Sequence, residues 1–151
     1  MKEMLQDYFD TRIPITRDMR VKVQLCNQRV LILTAPLAIN RNDKNTAFGG
    51  SVVSILTLAG WAITHTVLSR LQLHATTVVR RSKVDYIKPI DSEIMIISNM
   101  PSDHDIYRFK QDLMQRGKAR WEIQARAECN QELAVDYSGV YISVLIPELI
   151  T

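Results

Sequence analysis

The sequence predicts an α+β fold in which a mostly antiparallel, curved sheet of about six strands wraps a long central helix. Three observations carry this. None of Thr46 to Ser69 is Asp, Glu, Lys or Arg, and residues 47–71 contain no proline. A helix there is apolar nearly all round and must be covered on most sides. Residues 118–130 alternate strictly, with Ala119, Trp121, Ile123, Ala125, Ala127 and Cys129 on one side and Lys118, Arg120, Glu122, Gln124, Arg126 and Glu128 on the other. That is a strand with one buried and one wet face. The remaining strand-like runs come in pairs joined by short turns, so hairpins organise most of the sheet.

The elements follow in order. Residues 3–10 predict a short helix that ends before Pro14. "VKVQLC" (21–26) and "VLILTAPL" (30–37) flank an "NQ" turn and read as a hairpin. The central helix then runs over 47–71, with Thr46 as its N-cap. "TTVVRRSKVDYI" (76–87) and "EIMIISNM" (93–100) read as strands joined by "KPIDS". In residues 102–117, Ile106, Phe109, Leu113 and Met114 lie at helical spacing, Ser102 caps the start and Gly117 ends the helix. "LAVDYSGVYISVLI" (133–146) closes the sheet after an "NQE" turn.

Length and composition suit one soluble domain over 1–151, with 46% hydrophobic and 23% charged residues. No repeat or linker divides the chain. The first twenty residues mix charges throughout, unlike a signal peptide. The two cysteines, Cys26 and Cys129, have no CxxC spacing and read as free thiols in a reducing cytoplasm. The uncharged run is long enough to cross a bilayer. Its eight Ser, Thr and His positions and three glycines make it too polar for a lone span, so no membrane is expected. A net charge of +3 is no nucleic-acid signature; it suits a ligand with phosphates or an acidic protein partner. His65, His74 and His104 lack metal-ligand spacing, and no P-loop, GxGxxG or GxSxG is present. Neither metal nor cofactor is implied. His65, four residues after Trp61, reads as a packed helix residue.

The chemistry concentrates in "NDKNTAFGGSVVSILTLAGW" (42–61). A helix N-terminus offers unpaired backbone N–H groups and a partial positive charge. Gly49 and Gly50 there allow a ligand close to the backbone, to polarise a carbonyl or hold the oxyanion formed on attack. Asn42, on the loop just upstream, can orient a water or the substrate. The alternative is structural, with the glycines serving close packing and the Asn-Thr pair capping. Gly50, Ser54 and Thr57 share one helix face, so these hydroxyls either line a site or bond back to the preceding turn. In "RRSK", alternation puts Arg81 and Lys83 on one side and Arg80 on the other. Arg81 and Lys83 either hold substrate phosphates or form a solvated face.

The order of hairpin then helix, with "NxxxTxFGGS", "LAGW" and "VDYIKPI", resembles the hotdog-fold thioesterases, and within them the YiiD C-terminal type. The similarity runs over roughly residues 20–145. It implies a hotdog fold, a homo-oligomer (dimer or tetramer) with sites between protomers, and thioesters of coenzyme A or acyl carrier protein as substrates in fatty-acid metabolism. Related phenylacetyl-type thioesterases carry an Asn, six residues, then a Gly pair; Asn42 and Gly49-Gly50 match. Phe48 replaces the histidine that usually precedes the pair. Asn45 stands where glycine is frequent, and asparagine is well suited to a positive φ. Those relatives place a carboxylate seven residues after the second glycine. Here that position is Thr57, and a threonine hydroxyl is no general base near neutral pH.

The resulting expectation is thioester hydrolysis by water. Gly50, with Gly49, holds the carbonyl oxygen, Asn42 and Thr57 place the water, and Phe48, Ser51 and Ser54 line the acyl site. The rival is a non-catalytic acyl-thioester binding module, which the missing carboxylate favours. A dehydratase-type enzyme would need a His with an acid partner at the helix start, and the sequence offers none there.

Overall fold

The structure is a computed structural model that describes residues 1–147. Six strands form one antiparallel sheet: β1 (Lys22–Cys26), β2 (Val30–Ala35), β3 (Ala75–Tyr86), β4 (Ile94–Asn99), β5 (Lys118–Cys129) and β6 (Glu132–Leu145), in the order β1-β2-β4-β5-β6-β3. Between β2 and β3 the chain runs through the long helix α4 (Gly49–Arg70), numbered after α1 (Lys2–Arg12), α2 (Ile15–Asp18) and α3 (Leu37–Asn40). That passage carries the chain from one half of the sheet to its opposite edge. α4 lies in the hollow and packs against β2 to β6. The curved sheet wrapped on a central helix is the expected architecture.

The core follows from the two periodicities. Val52, Ile55, Leu56, Ala59, Ile63 and Val67 of α4 are almost wholly buried. They meet the inward side of the strands, including Leu31, Leu33, Ile94, Ile96 and Ile123. The alternation read in β5 holds along its length: Ala119, Ile123, Ala125, Ala127 and Cys129 are buried, while Lys118, Arg120, Glu122 and Gln124 are exposed. The helix is long and apolar enough to cross a bilayer, yet it is the buried helix of this core. Both cysteines are free and buried.

The last helix, α5 (Asp103–Arg116), has the expected bounds. The Ser102 hydroxyl accepts from the Asp105 N–H, and Gly117 ends the helix at φ 69°. Phe109 and Leu113 pack on Leu68 of α4 and on Ala119, and the Phe109 ring stacks on Trp121. α5 thus covers the far end of the central helix.

Four local readings need correction. The consecutive strands β3 and β4 do not pair across the KPIDS turn: β3 pairs with β6, and β4 with β2 and β5. Thr46 is not the N-cap: the cap is Phe48, without a side-chain hydrogen bond. An Arg41–Ala47 bridge and the bond from Phe48 N–H to Asn40 O keep the chain extended until Gly49. The run 30–37 stops being strand at Ala35, because Pro36 opens the short helix α3. Arg80 and Arg81 do not alternate as read. β3 bulges between Val79, opposite Tyr141, and Arg81, opposite Val140.

One contact sets how closely α4 and β6 approach. Tyr141 is fully buried, and its hydroxyl donates to Thr57 O at 2.7 Å. A Cβ at Gly60 would lie 2.3 Å from that hydroxyl, and one at Gly139 would lie 2.5 Å from the Tyr137 hydroxyl. Gly60→Ala therefore overpacks the interface. We expect a net loss of about 1–3 kcal/mol in chemical denaturation, despite alanine's better helix propensity. An unchanged denaturation midpoint would show that α4 does not sit this close to Tyr141.

Candidate functional site

The loop before α4 is built by Asn42. Its Oδ1 accepts from Lys44 N–H at 2.8 Å and Thr46 N–H at 3.1 Å, and its Nδ2 donates to Thr46 Oγ1 at 2.8 Å. Asn45 adopts φ 61°, and its Oδ1 accepts from Arg41 Nη1 at 2.7 Å. Asparagine tolerates this left-handed geometry better than most residues. Asn42 thus holds the loop in shape with both its Oδ1 and its Nδ2.

At the helix start, Val52 N–H bonds to Phe48 O. Among the described residues, the amides of Gly49, Gly50 and Ser51 have no hydrogen-bond partner. They form the positive end of a 22-residue helix. Two aromatic rings flank the glycines. A Cβ at Gly50 would lie 2.4 Å from the Phe48 ring, and one at Gly49 would lie 3.4 Å from the Tyr86 ring. Tyr86 Oη donates to Gly49 O at 3.1 Å. Phe48 and Tyr86 are nevertheless 55% and 57% exposed, and Gly49, Gly50 and Ser51 are half-buried beside them.

Further along α4, an apolar hollow of about 380 Å³ opens between the helix, α2 and β3. Ser54, Thr57, Leu58 and Trp61 line it from α4, Val79 from β3 and Tyr141 from β6. Ser54 Oγ donates back to Gly50 O at 2.7 Å. The Thr57 hydroxyl faces a buried tyrosine pair. Tyr137 Oη lies 3.4 Å from Thr57 Oγ1 and 2.8 Å from Tyr141 Oη. Burial and the neighbouring Tyr137 push the Tyr141 hydroxyl far above its ordinary pKa, so it stays protonated. No Asp, Glu or His lines this hollow among the described residues. Asn42, Gly49, Gly50 and Ser51 belong to the helix entrance and not to the hollow's walls.

Sequence reading missed Tyr137 and Tyr141. Their signal was present: both fall at inward positions of β6, two residues either side of Gly139. It also missed Ile13, Ile15 and Met19, which line the hollow from α2 and its flanks, because a four-residue helix leaves almost no periodic trace.

Arg81 and Lys83 face outward, away from the helix, since they lie opposite Val140 and Ser138 of β6. Lys83 Nζ is 3.9 Å from Asp85 Oδ2. The bulge turns Arg80 to the same outer face, where it shares a hollow with Arg81 and Arg120. Such re-aiming is a usual effect of a bulge. His65 sits in an aromatic stack, 4.8 Å from Trp61 and 4.7 Å from Tyr8 between ring centroids. Burial lowers its pKa below 6.5. Among the described residues no three His, Cys, Asp or Glu side chains converge as a metal requires.

Residues 2–145 match the family described as "Putative thioesterase (yiiD_Cterm)". A protein of unknown function from Chlorobaculum tepidum TLS is similar in structure, with TM-score 0.93, 27% identity, and coverage of 96% of this chain and 94% of that one. A "putative thioesterase" from Shewanella oneidensis is similar at TM-score 0.84 and 26% identity, over 95% of this chain and 96% of that one. A thioesterase from Haemophilus influenzae shares the fold at TM-score 0.70 and 14% identity, over 100% of this chain and 95% of that one.

Two stability predictions follow from the side chains. Asn42→Ala removes the acceptor of two backbone N–H groups and should cost about 1–3 kcal/mol. Urea denaturation reads this directly, and an unchanged midpoint would mean the loop does not depend on Asn42. For His65, the folded pKa lies below the unfolded one. Its contribution is fully present above about pH 6.5 and is lost as pH falls through the folded value. Stability should therefore drop as pH falls below about 6.5, and His65→Phe should flatten that drop. A variant with the same pH profile as the parent would remove His65 from the explanation.

Proposed function

The chain belongs to the YiiD C-terminal thioesterase-type family, and from that premise we propose that it hydrolyses acyl thioesters of coenzyme A or acyl carrier protein. The observation that carries this reading is the trio of unpartnered amides at Gly49, Gly50 and Ser51, at half-buried positions beside two exposed aromatic rings. Water adds to the thioester carbonyl. The oxygen gains negative charge and is held by the Gly50 N–H, with Gly49 beside it. Collapse expels the thiolate, which leaves as the free thiol, and the acid product remains. Donors already aimed at the developing oxyanion need no reorganisation during the reaction. The spare N–H of Asn42 positions the water, while the hydroxyl of Thr57, about two helical turns beyond Gly50, borders the hollow that takes the acyl group. Tyr137 and Tyr141 hold Thr57 in turn. Phe48, Ser51, Ser54 and the apolar hollow receive the acyl group.

We also infer a homodimer or a larger assembly. β3 is a twelve-residue edge strand with Val78 and Val79 exposed. Such an edge invites pairing with another copy, and the hollow beside Val79 would then be walled by the partner. Two free cysteines suit a cytoplasmic setting.

A second reading has a specific observation in its favour. Thr57 stands where relatives carry the helix carboxylate, and no carboxylate lines the hollow among the described residues. A domain so built could bind acyl thioesters without turning them over. Free-thiol release from a panel of short, long and aryl acyl-coenzyme A esters separates the two. Gly50→Pro removes one N–H in the first helical turn, where no intrahelical bond is lost, and obliges the exposed Phe48 ring to turn aside. It should lower kcat at least about 100-fold in a protein that still folds. Turnover unaffected by Gly50→Pro would sink the oxyanion role. Binding without turnover, with activity gained only in Thr57→Asp, would establish the binding module.

A further inference from the structure

The outer face of the sheet holds a cationic cleft, apart from both the helix entrance and the apolar hollow. Its floor is β6, through Val140 and Ile142. Arg80 and Arg81 of β3 line one side, Lys118 and Arg120 of β5 line the other, and Arg116 stands at the end of α5. Two adjoining hollows of about 350 and 430 Å³ share Arg80 and Arg120. β3 and β5 are the two neighbours of β6, so the walls stand two strand spacings apart, about 10 Å.

Three independent features mark this cleft as a binding site. The first is concentration of charge. Five cations face two carboxylates, Asp112 and Glu122. The surplus of three equals the net charge of the whole chain, so the remaining residues balance. The second is lack of pairing. Ion pairs among the described residues join Lys44 to Asp43, Lys83 to Asp85, Lys88 to Glu132 and Arg126 to Glu128. None involves the five cleft cations. Crowded like charges repel, and a bound anion relieves that repulsion. The third is the bulge in β3, without which Arg80 and Arg81 would point to opposite faces.

The shape narrows the ligand. Cations on facing walls, over an apolar floor, enclose a small molecule better than they grip a flat protein surface. Guanidinium groups match phosphate oxygens in pairs. We propose that this cleft binds a small ligand with two or more phosphate groups, of the nucleotide class, with its base and sugar over Val140 and Ile142. A free nucleotide and the nucleotide end of coenzyme A share this chemistry. The proposal stands whether or not the chain hydrolyses thioesters.

Isothermal titration of the intact protein with pyrophosphate, adenosine diphosphate and free coenzyme A tests it, since none of these contains a thioester. Binding of at least one is expected, weakening as salt rises. Arg80→Ala and Arg120→Ala should each weaken it at least about tenfold. Lys22→Ala, which removes one charge at the far edge of the sheet, should leave it unchanged. All three side chains are exposed, so the fold tolerates their loss. Tightest binding by coenzyme A would assign the cleft to the carrier end of a substrate. Equal or tighter binding by the other two would assign it to a free phosphorylated ligand. No binding of any of the three, or binding that survives the double Arg80→Ala, Arg120→Ala change, would overturn the proposal.

Discussion

The packing of α4 on β6, at Gly60 and Tyr141, is the constraint on which the rest of the molecule depends. A helix with no charge between its first residue and Ser69 loses most by exposure, at roughly 25 cal/mol for each Å² of apolar surface. One curved sheet covers it, and α5 covers its far end. The hydroxyl of Tyr141 reaches the helix backbone at Thr57 only because position 60 has no side chain. That bond satisfies a phenol that is otherwise sealed from water, and an unsatisfied buried hydroxyl would be costly. The same approach brings Tyr137 beside Thr57. Packing and site geometry are therefore one arrangement.

The helix entrance has a different origin. A long buried helix must begin somewhere, and its first amides lack partners inside the helix. Ser, Thr, Asp or Asn at the cap usually supplies one. Here the cap is Phe48, which has no group to offer. Thr46, two residues earlier, is engaged by Asn42 instead. The loop spends its polar side chains on its own shape and leaves the amides bare. A site that polarises a carbonyl needs that condition, whereas ordinary capping would abolish it.

This also explains what the sequence made legible. Elements with a strong period were readable: the uncharged helix, the alternating β5, and α5 between Ser102 and Gly117. The glycine pair stood out because composition alone distinguishes a polar, small-residue entrance from the apolar run behind it. Thr46 misled because a threonine before a helix has two uses, and only the Arg41–Ala47 bridge decides between them. The bulge at Arg80 was invisible because a one-residue insertion leaves the residue types unchanged while reversing their faces. The tyrosine pair was readable as buried but not as connected, since its partner Thr57 lies 80 residues away in the chain.

The sheet separates two chemistries. On the concave side the hollow is apolar, and its polar side chains carry hydroxyls or an indole N–H; no carboxylate or imidazole lines it among the described residues. On the convex side stands the cleft that holds the chain's excess positive charge. Tyr141 cannot serve as a base, since burial keeps its proton in place. A reaction that relied on this chain's own concave-side groups would draw on fixed dipoles more than on proton transfer. Dipoles act best where water is excluded and local dielectric is low. The entrance rings of Phe48 and Tyr86 are still more than half exposed in one chain, and β3 presents an unpaired edge next to the hollow. Closing that edge with a second copy would deepen the hollow. If the entrance is shielded at the same time, the bare amides gain strength from the change in surroundings alone.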